Sequence, residues 1–397
     1  MNPDRDRRVV RGEDEGLLAS GLELVSRVLG KDAEKELRFR ALDPAYDPRD
    51  TFLVVSGGKV VSHLRLDPRD MRVGRSLLRV AVFSDVVTDP DQRGRGHART
   101  ALNAAVESAR AERYHLALLF TDLLDFFRDQ GWSPWARACF TIDIQPDEAA
   151  DIPTGVRDYR AADLDSVMAI HGHCGSRYAG PLLRSIAWWK SDLQRRADRD
   201  EIVVLEVDDA IKGYARARHG WPDDGEFAIT DLASIDHAGE VALLTALLQR
   251  ARRQGFSRVT GQIQLSTPLD DLPSGLQAHA EPGQDNRAMS KLLSLRRLIR
   301  ALIPEFQAIC IRQGDCGDRQ VDLLVGQMAA EVSAERGNFE VRSPPPNRPS
   351  FLQLSEGDFW RLLFQGRLPP TVPEPQAELL SFLFPPREFA FWRADEP

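Results

Sequence analysis

The chain has 397 residues, of which 42% are hydrophobic and 28% charged, with a formal net charge of −8 at pH 7. This is the mix of a globular protein with more than one core, and it excludes fibrous and disordered classes. The acidic balance argues against nucleic acid as a main partner and favours cationic ones such as amines, and no apolar run reaches the ~20 residues of a membrane-spanning helix.

In chain order, the spacing of Leu17, Leu18, Leu22, Val25, Val28 and Leu29 predicts a helix over residues 16–29, stopped by Gly30. Strands are expected at 51–55 and 59–66, joined by the hairpin signal Gly57-Gly58, and at 76–87. An Ala-rich helix over 99–113 places Leu102, Ala105, Val106 and Ala109 on one face. A strand at 116–121, a brief helix at 123–130 and a strand at 137–144 complete a mixed α+β domain over 1–145. Residues 146–153 are acidic and proline-bounded, as a linker should be. The same outline recurs over 154–287: a helix at 163–170, strands at 201–207, 211–218 and 227–232, a helix at 241–254 and a strand at 258–264. Residues 288–397 form a third domain, with apolar-basic segments at 292–303 and 305–312, strands at 320–325 and 351–354, helices at 357–364 and 377–384, and an extended end at 388–392. Cys139, Cys174, Cys310 and Cys316 show neither zinc nor disulfide spacing. The charged start MNPDRDRRVVRGEDEG has no signal-peptide core, so a reducing cytoplasm is expected.

Between the strand at 76–87 and the helix after it lies Gln92-Arg93-Gly94-Arg95-Gly96-His97-Ala98. Pyrophosphate is bound most simply by a glycine turn feeding a helix start, where amides lack carbonyl partners and the dipole is positive. Arg93, Gly94, Arg95, Gly96, His97 and Ala98 are therefore assigned to a pyrophosphate cradle. Val86, Val87 and Thr88, closed by Asp89-Pro90, offer backbone groups to an extended, amide-bearing arm. In the second copy the corresponding stretch is ASIDHAGE, residues 233–240, which is not expected to hold pyrophosphate.

Residues 83–102, FSDVVTDPDQRGRGHARTAL, resemble the motif that defines the GNAT N-acetyltransferase superfamily. Leu118-Leu119-Phe120-Thr121 and Phe126-Phe127-Arg128-Asp129-Gln130-Gly131-Trp132 extend the likeness over most of the first domain. The loop-less second copy and the string Leu352-Gln353-Leu354-Ser355-Glu356-Gly357-Asp358 resemble the enhanced-intracellular-survival (Eis) type. That resemblance implies an α+β architecture of tandem GNAT folds followed by a sterol-carrier-like (SCP2-like) domain. It also implies acetyl-CoA as cosubstrate without a metal, direct attack by a primary amine of a small molecule or lysine side chain, and a homo-oligomer.

The resemblance further implies a tyrosine proton donor where this chain has Phe127, and a terminal carboxylate as base. Here the tail is Asp395-Glu396-Pro397, so the two side chains and the terminal carboxylate of Pro397 are all candidate bases, unless the acidic end is frayed. Because a phenyl ring donates no proton, a second reading stays open: a non-catalytic acyl-CoA-binding protein whose third domain serves ligand binding or assembly. His171-Gly172-His173-Cys174 has metal-ligand residue types but no second ligand pair, so no metal is expected and a loop lining the acceptor pocket is preferred. Tyr178, Trp188, Trp189 and Trp221 are read as pocket or core. Asp85, Asp122 and Asp125 are read as ligands of a cationic acceptor, proton relays or solvated acids. Arg296, Arg297 and Arg300 form a basic face, open to the adenine-side phosphate or to solvent.

Overall fold

The computed structural model describes residues 7–30, 32–144, 153–197, 200–219, 226–261, 272, 280–314, 317–344 and 351–396. β1 (Arg8–Arg11) precedes α1 (Glu15–Leu29), which starts with Asp14 accepting from the Leu17 amide and ends at Gly30 with φ 68°. α2 (Ala33–Leu42) follows; its sequence AEKELRFRAL has no apolar stripe, so the hydrophobic spacing did not signal it. β2 (Thr51–Ser56) and β3 (Lys59–Val73) turn at Gly57 and Gly58, with φ 58° and 76°, the left-handed pair of a tight hairpin. β4 (Ser76–Thr88) lies antiparallel to β3, α3 (His97–Ala111) crosses over, and β5 (Leu116–Phe120) returns parallel to β4. α4 (Leu124–Arg128) and β6 (Ser133–Asp143) close this region.

The pattern then repeats. After β7 (Val156–Asp158), α5 (Leu164–Gly175), β8 (Ala179–Leu182) and α6 (Ile186–Arg196) come β9 (Asp200–Val207), β10 (Ala210–His219) and β11 (Glu226–Ser234). The β9–β10 turn uses Asp208 and Asp209 at φ 51° and 56°, and Asp is among the few residues that tolerate this region. α7 (His237–Arg253) crosses to β12 (Arg258–Gly261), which is parallel to β11.

β13 (Ala280–Leu292) then pairs antiparallel with both β5 and β6, placing Ala288 opposite Phe120 on one side and Trp135 on the other. One continuous sheet results, in the order β1-β2-β3-β4-β5-β13-β6-β12-β11-β10-β9-β7, with β8 alongside β3. The limit expected between residues 287 and 288 falls inside β13. AEPGQDNRAMSKL has a proline, a glycine and no clean alternation, so its partners rather than its own pattern make it a strand.

The remainder contributes α8 (Leu295–Ala301), α9 (Ile303–Gln313), β14 (Arg319–Val325), β15 (Met328–Glu335), β16 (Asn338–Arg342), β17 (Leu352–Leu354), α10 (Glu356–Gln365) and α11 (Glu374–Leu383). Its four strands form a second sheet, β16-β15-β14-β17. One face of the first region's strands packs on α3 through Phe52, Leu64, Phe83, Leu102 and Leu119. The other face, with Val80, Val82 and Leu118, shares a cluster with Leu298, Phe306 and Phe359 of the third region. Each such side chain stabilises by ~1.5–3 kcal/mol when fully buried, so the sheet is held from both sides. Among the described residues no helix is long and apolar enough to cross a membrane.

Candidate active site

β4 and β5 stay in register from Val80 opposite Leu116 to Val82 opposite Leu118. Beyond Val82, β4 runs on to Thr88 paired with β3. The strands part where β4 bulges: Ser84 faces Arg65 but Val87 faces His63, one extra residue on β4, and Asp85 takes a φ of 49°. The bulge is pinned from its own side. Arg40 donates to the Asp85 carboxylate at 2.7 Å, Arg65 lies 3.6 Å from it, and His63 Nδ1 lies 2.9 Å from the Asp85 carbonyl. Burial pushes His63 down to about 4, so the ring is neutral at pH 7 and Nδ1–H donates to that carbonyl. Asp85 is therefore a buried, ion-paired part of the bulge, which corrects its reading as an acceptor ligand or a solvated acid.

Past the bulge, a short turn, Pro90–Gln92, begins at Asp89, whose carboxylate accepts from the Asp91 amide and pairs with Arg27 at 2.6 Å. Gly94 and Gly96 then take φ values of 75° and 79°. Gly96 is the N-cap of α3; no side chain caps that helix, and no acid stands in its first turn. A β-carbon placed on Gly94 would meet nothing within 4 Å, and one on Gly96 only Arg7 Nη1 at 3.6 Å. Arg93 and Arg95 are exposed beside the turn, while His97, the first residue of α3, is buried. Left-handed glycines, an uncapped helix start and two exposed guanidiniums fit a diphosphate group.

The tail is docked, not frayed. A short turn, Arg393–Asp395, packs on β11. Arg184 donates side-on to Asp395, Nε to Oδ1 at 2.7 Å and Nη2 to Oδ2 at 2.9 Å, and its Nη1 donates to Asp231. Burial raises Asp395 to about 6; Arg184 pulls the other way, and Asp231 adds to the rise. Glu396 pairs with Arg137 at 2.5 Å, and Arg137 also pairs with Asp285 and lies over the Phe120 ring at 4.5 Å. Phe391 meets Phe120 at 5.1 Å between centroids. The tail thus reaches the end of β5, where β4 and β5 have parted. Pro397 and its carboxylate lie outside the described residues.

The other expected residues are dispersed. Phe127 is buried in the first region's core, 4.9 Å from Phe126 and 6.0 Å from Trp132 between ring centroids. His171 meets the Tyr214 hydroxyl at 2.9 Å and is held down to about 3 by burial, the Cys174 thiol donates to the Ser234 carbonyl at 3.1 Å, and His173 faces Arg177. This stretch belongs to α5 rather than a loop, and among the described residues no group of three or more His, Cys, Asp or Glu is placed to hold a metal ion. Trp189 and Trp392 flank His171 at 5.5 and 6.5 Å, and Tyr178 meets Trp392 at 6.2 Å; Trp221 lies outside the described residues. Asp122 and Asp125 are exposed, the latter paired with Arg128.

Arg297 donates to the Arg110 carbonyl at the far end of α3 from the cradle, Arg300 donates to the Val341 carbonyl, and Arg296 to Ser343. The basic face therefore joins elements of the fold, and Arg297 sits roughly 20 Å along the helix from its glycine start. A cleft of about 620 Å³ opens beside Arg137, bordered by Gln284, Gln365, Arg367, Glu388 and Phe389. Sequence reasoning missed Arg40, Arg137 and Arg184; each meets a carboxylate distant in sequence.

Residues 11–135 match the family model described as acetyltransferase (GNAT) domain. No curated protein matches the sequence. Among solved structures, the chain is similar to a GCN5-related N-acetyltransferase from Kribbella flavida, with 20% identity, a TM-score of 0.67 and 97% of each chain covered. It is also similar to a conserved protein of unknown function from Enterococcus faecalis V583, described as a probable N-acyltransferase, with 12% identity, a TM-score of 0.73 and coverage of 97% of this chain and 98% of that one. Eis1 from Mycobacterium abscessus shares 14% identity at a TM-score of 0.65, covering 98% of this chain and all (100%) of its own. At these identities the likeness is one of fold.

Proposed function

We propose, from the match of residues 11–135 to the acetyltransferase (GNAT) domain model, that the protein is an N-acetyltransferase moving the acetyl group of acetyl-CoA to a primary amine of a small molecule or a lysine side chain. The observation that carries this reading is the continuity of the bulged, parted β4 with the uncapped glycine start of α3. Acetyl-CoA supplies an activated thioester. The amides at His97 and Ala98, with Arg93 and Arg95, hold the diphosphate, and the free edge of Val86, Val87 and Thr88 holds the amide-bearing arm. The acceptor enters by the cleft beside Arg137.

Glu396, or the carboxylate of Pro397, takes the proton of the acceptor amine, and Asp395 orients this end through Arg184. Phe127 offers no proton, so solvent protonates the departing thiolate. We extend the proposal to the fold, with the second region as a degenerate GNAT copy and the third as a sterol-carrier-like domain, and to self-assembly, which a single monomer boundary in sedimentation at micromolar concentration overturns.

Burial of Phe127 in the core supports a second reading, in which the domain binds acyl-CoA without turnover. Thiol release measured with acetyl-CoA and a panel of polyamines, aminoglycosides and lysine peptides separates the two. Turnover with any of them establishes the first reading; micromolar coenzyme A binding with no release from the whole panel establishes the second.

A further inference from the structure

Arg184, a buried cation of the second region, is tied to the tail. The Arg184 side chain is 0% exposed, and its guanidinium lies 4.9 Å and 4.8 Å from the rings of Trp188 and Trp189. It joins Asp231, at the bulge of β11 where Arg216 faces Asp231 and Ala217 faces Ile229, to Asp395 of the tail. The tail is also stitched to β8, with Ala179 N–H donating to the Glu388 carbonyl at 3.0 Å and Ala390 N–H to the Ala179 carbonyl at 2.9 Å. Trp392 fills the space beside His171 and Tyr178. One residue beyond Asp395, Glu396 meets Arg137 over Phe120, on the first region's β5.

We infer that Arg184 is a positioning residue: it latches the C-terminal segment into the second region and so sets Glu396 against Arg137 at the end of β5. The second copy thereby serves the first as a socket for the tail. Arginine fits this role because a side-on, two-point grip fixes the orientation of a carboxylate, which a lysine ammonium does not do. The latch stands on the contacts alone; its bearing on turnover rests on the transferase reading.

Arg184→Lys and Asp395→Asn, singly and combined, test it in the full-length chain; Asp395→Asn leaves the Arg184–Asp231 pair in place and so guards against a mere failure to fold. Amide hydrogen exchange of residues 389–396 is expected to quicken at least about tenfold in each single variant, with residues 116–120 unchanged. Coenzyme A affinity by calorimetry should stay within about twofold, because the cradle is untouched. If Arg184 acts through Asp395, the double variant exchanges and turns over no worse than the weaker single one, as expected for two members of one interaction. Unchanged exchange in both single variants, or effects that simply multiply in the double, overturns the latch. Faster exchange with kcat unaltered for an acceptor that the wild-type acetylates overturns the positioning role. Absence of turnover by the wild-type sinks only the transferase reading and leaves the exchange result to decide the latch.

Discussion

The first and second regions share three antiparallel strands with a bulged third, a crossover helix and a parallel fourth strand, but they differ at the start of that helix. α3 begins at a left-handed Gly96 with no side-chain cap. α7 begins at Asp236, whose carboxylate accepts from the Gly239 amide at 2.8 Å, and Glu240 stands in its first turn. A carboxylate seated there uses the amides and the positive dipole end that a phosphate needs, and repels a second anion. One region leaves its helix start without a side-chain cap; the other has closed it with its own side chain and gained about 1 kcal/mol of helix stability.

The bulges differ in charge balance too. In the first region Arg40 and Arg65 face Asp85 and Asp67, two cations for two acids. In the second, Arg184 is the one cation paired with Asp231 and Asp395 among the described residues. The surplus carboxylate gives the largest expected effect. Burial lifts Asp395 from 3.8 to about 6, a difference worth about 3 kcal/mol at most. Since the folded value is the higher one, this stabilising contribution is complete below about pH 3.8 and is lost as pH rises through about 6. The stability of the wild-type relative to Asp395→Asn should therefore fall between about pH 4 and 7. Urea unfolding of both proteins across that range reads the difference, in which other groups titrating in common cancel; parallel curves refute it.

Next in size is Gly96→Val. A branched side chain at a φ of 79° costs about 1–2 kcal/mol, and the strain falls on the turn proposed to hold the diphosphate. Coenzyme A affinity measured by calorimetry should drop on the order of tenfold; an unchanged value removes the turn from the site. The mirror change, Asp236→Ala, should lower stability by about 1 kcal/mol through the lost cap while leaving coenzyme A affinity unaltered. A change in that affinity, or a second bound equivalent, shows that the two copies are less different than their helix starts indicate.

The same contrast separates what was legible in the sequence from what was not. The hairpin at Gly57-Gly58, the strand through Val86 and the glycine loop carry local chemistry, so their residue types announce them. β13 does not: its polar stretch, broken by Pro282 and Gly283, becomes a strand only because β5 and β6 leave a gap between them. α2 has charged residues on most sides, yet its Arg40 holds the bulge. Arg184 stands in a short connection, and its partner is more than two hundred residues away, so no spacing points to it. Long-range ion pairs leave no periodic trace, which is why the glycine turn ahead of α3 could be read from the sequence and the contacts of Arg184 with the tail could not.

Phe127→Tyr is expected to change least of all in turnover, and it tests whether the first copy lacks a working group or never held one at this position. The ring is 3% exposed, edge-on to Trp132 and Phe126 in the core that supports β4 and β5. A hydroxyl added there enters an apolar cluster, and an unpartnered one costs on the order of 1 kcal/mol of stability. It gains no access to the end of β5, which the tail reaches through Glu396 and Arg137. We therefore expect thiol release by Phe127→Tyr within about twofold of the wild-type, since an added acid aids a reaction only within hydrogen-bond reach of the proton's destination. A rise of about a hundredfold, ordinary for a positioned general acid, means that the α4 segment turns toward the donor during the reaction and that a hydroxyl at position 127 serves as its acid.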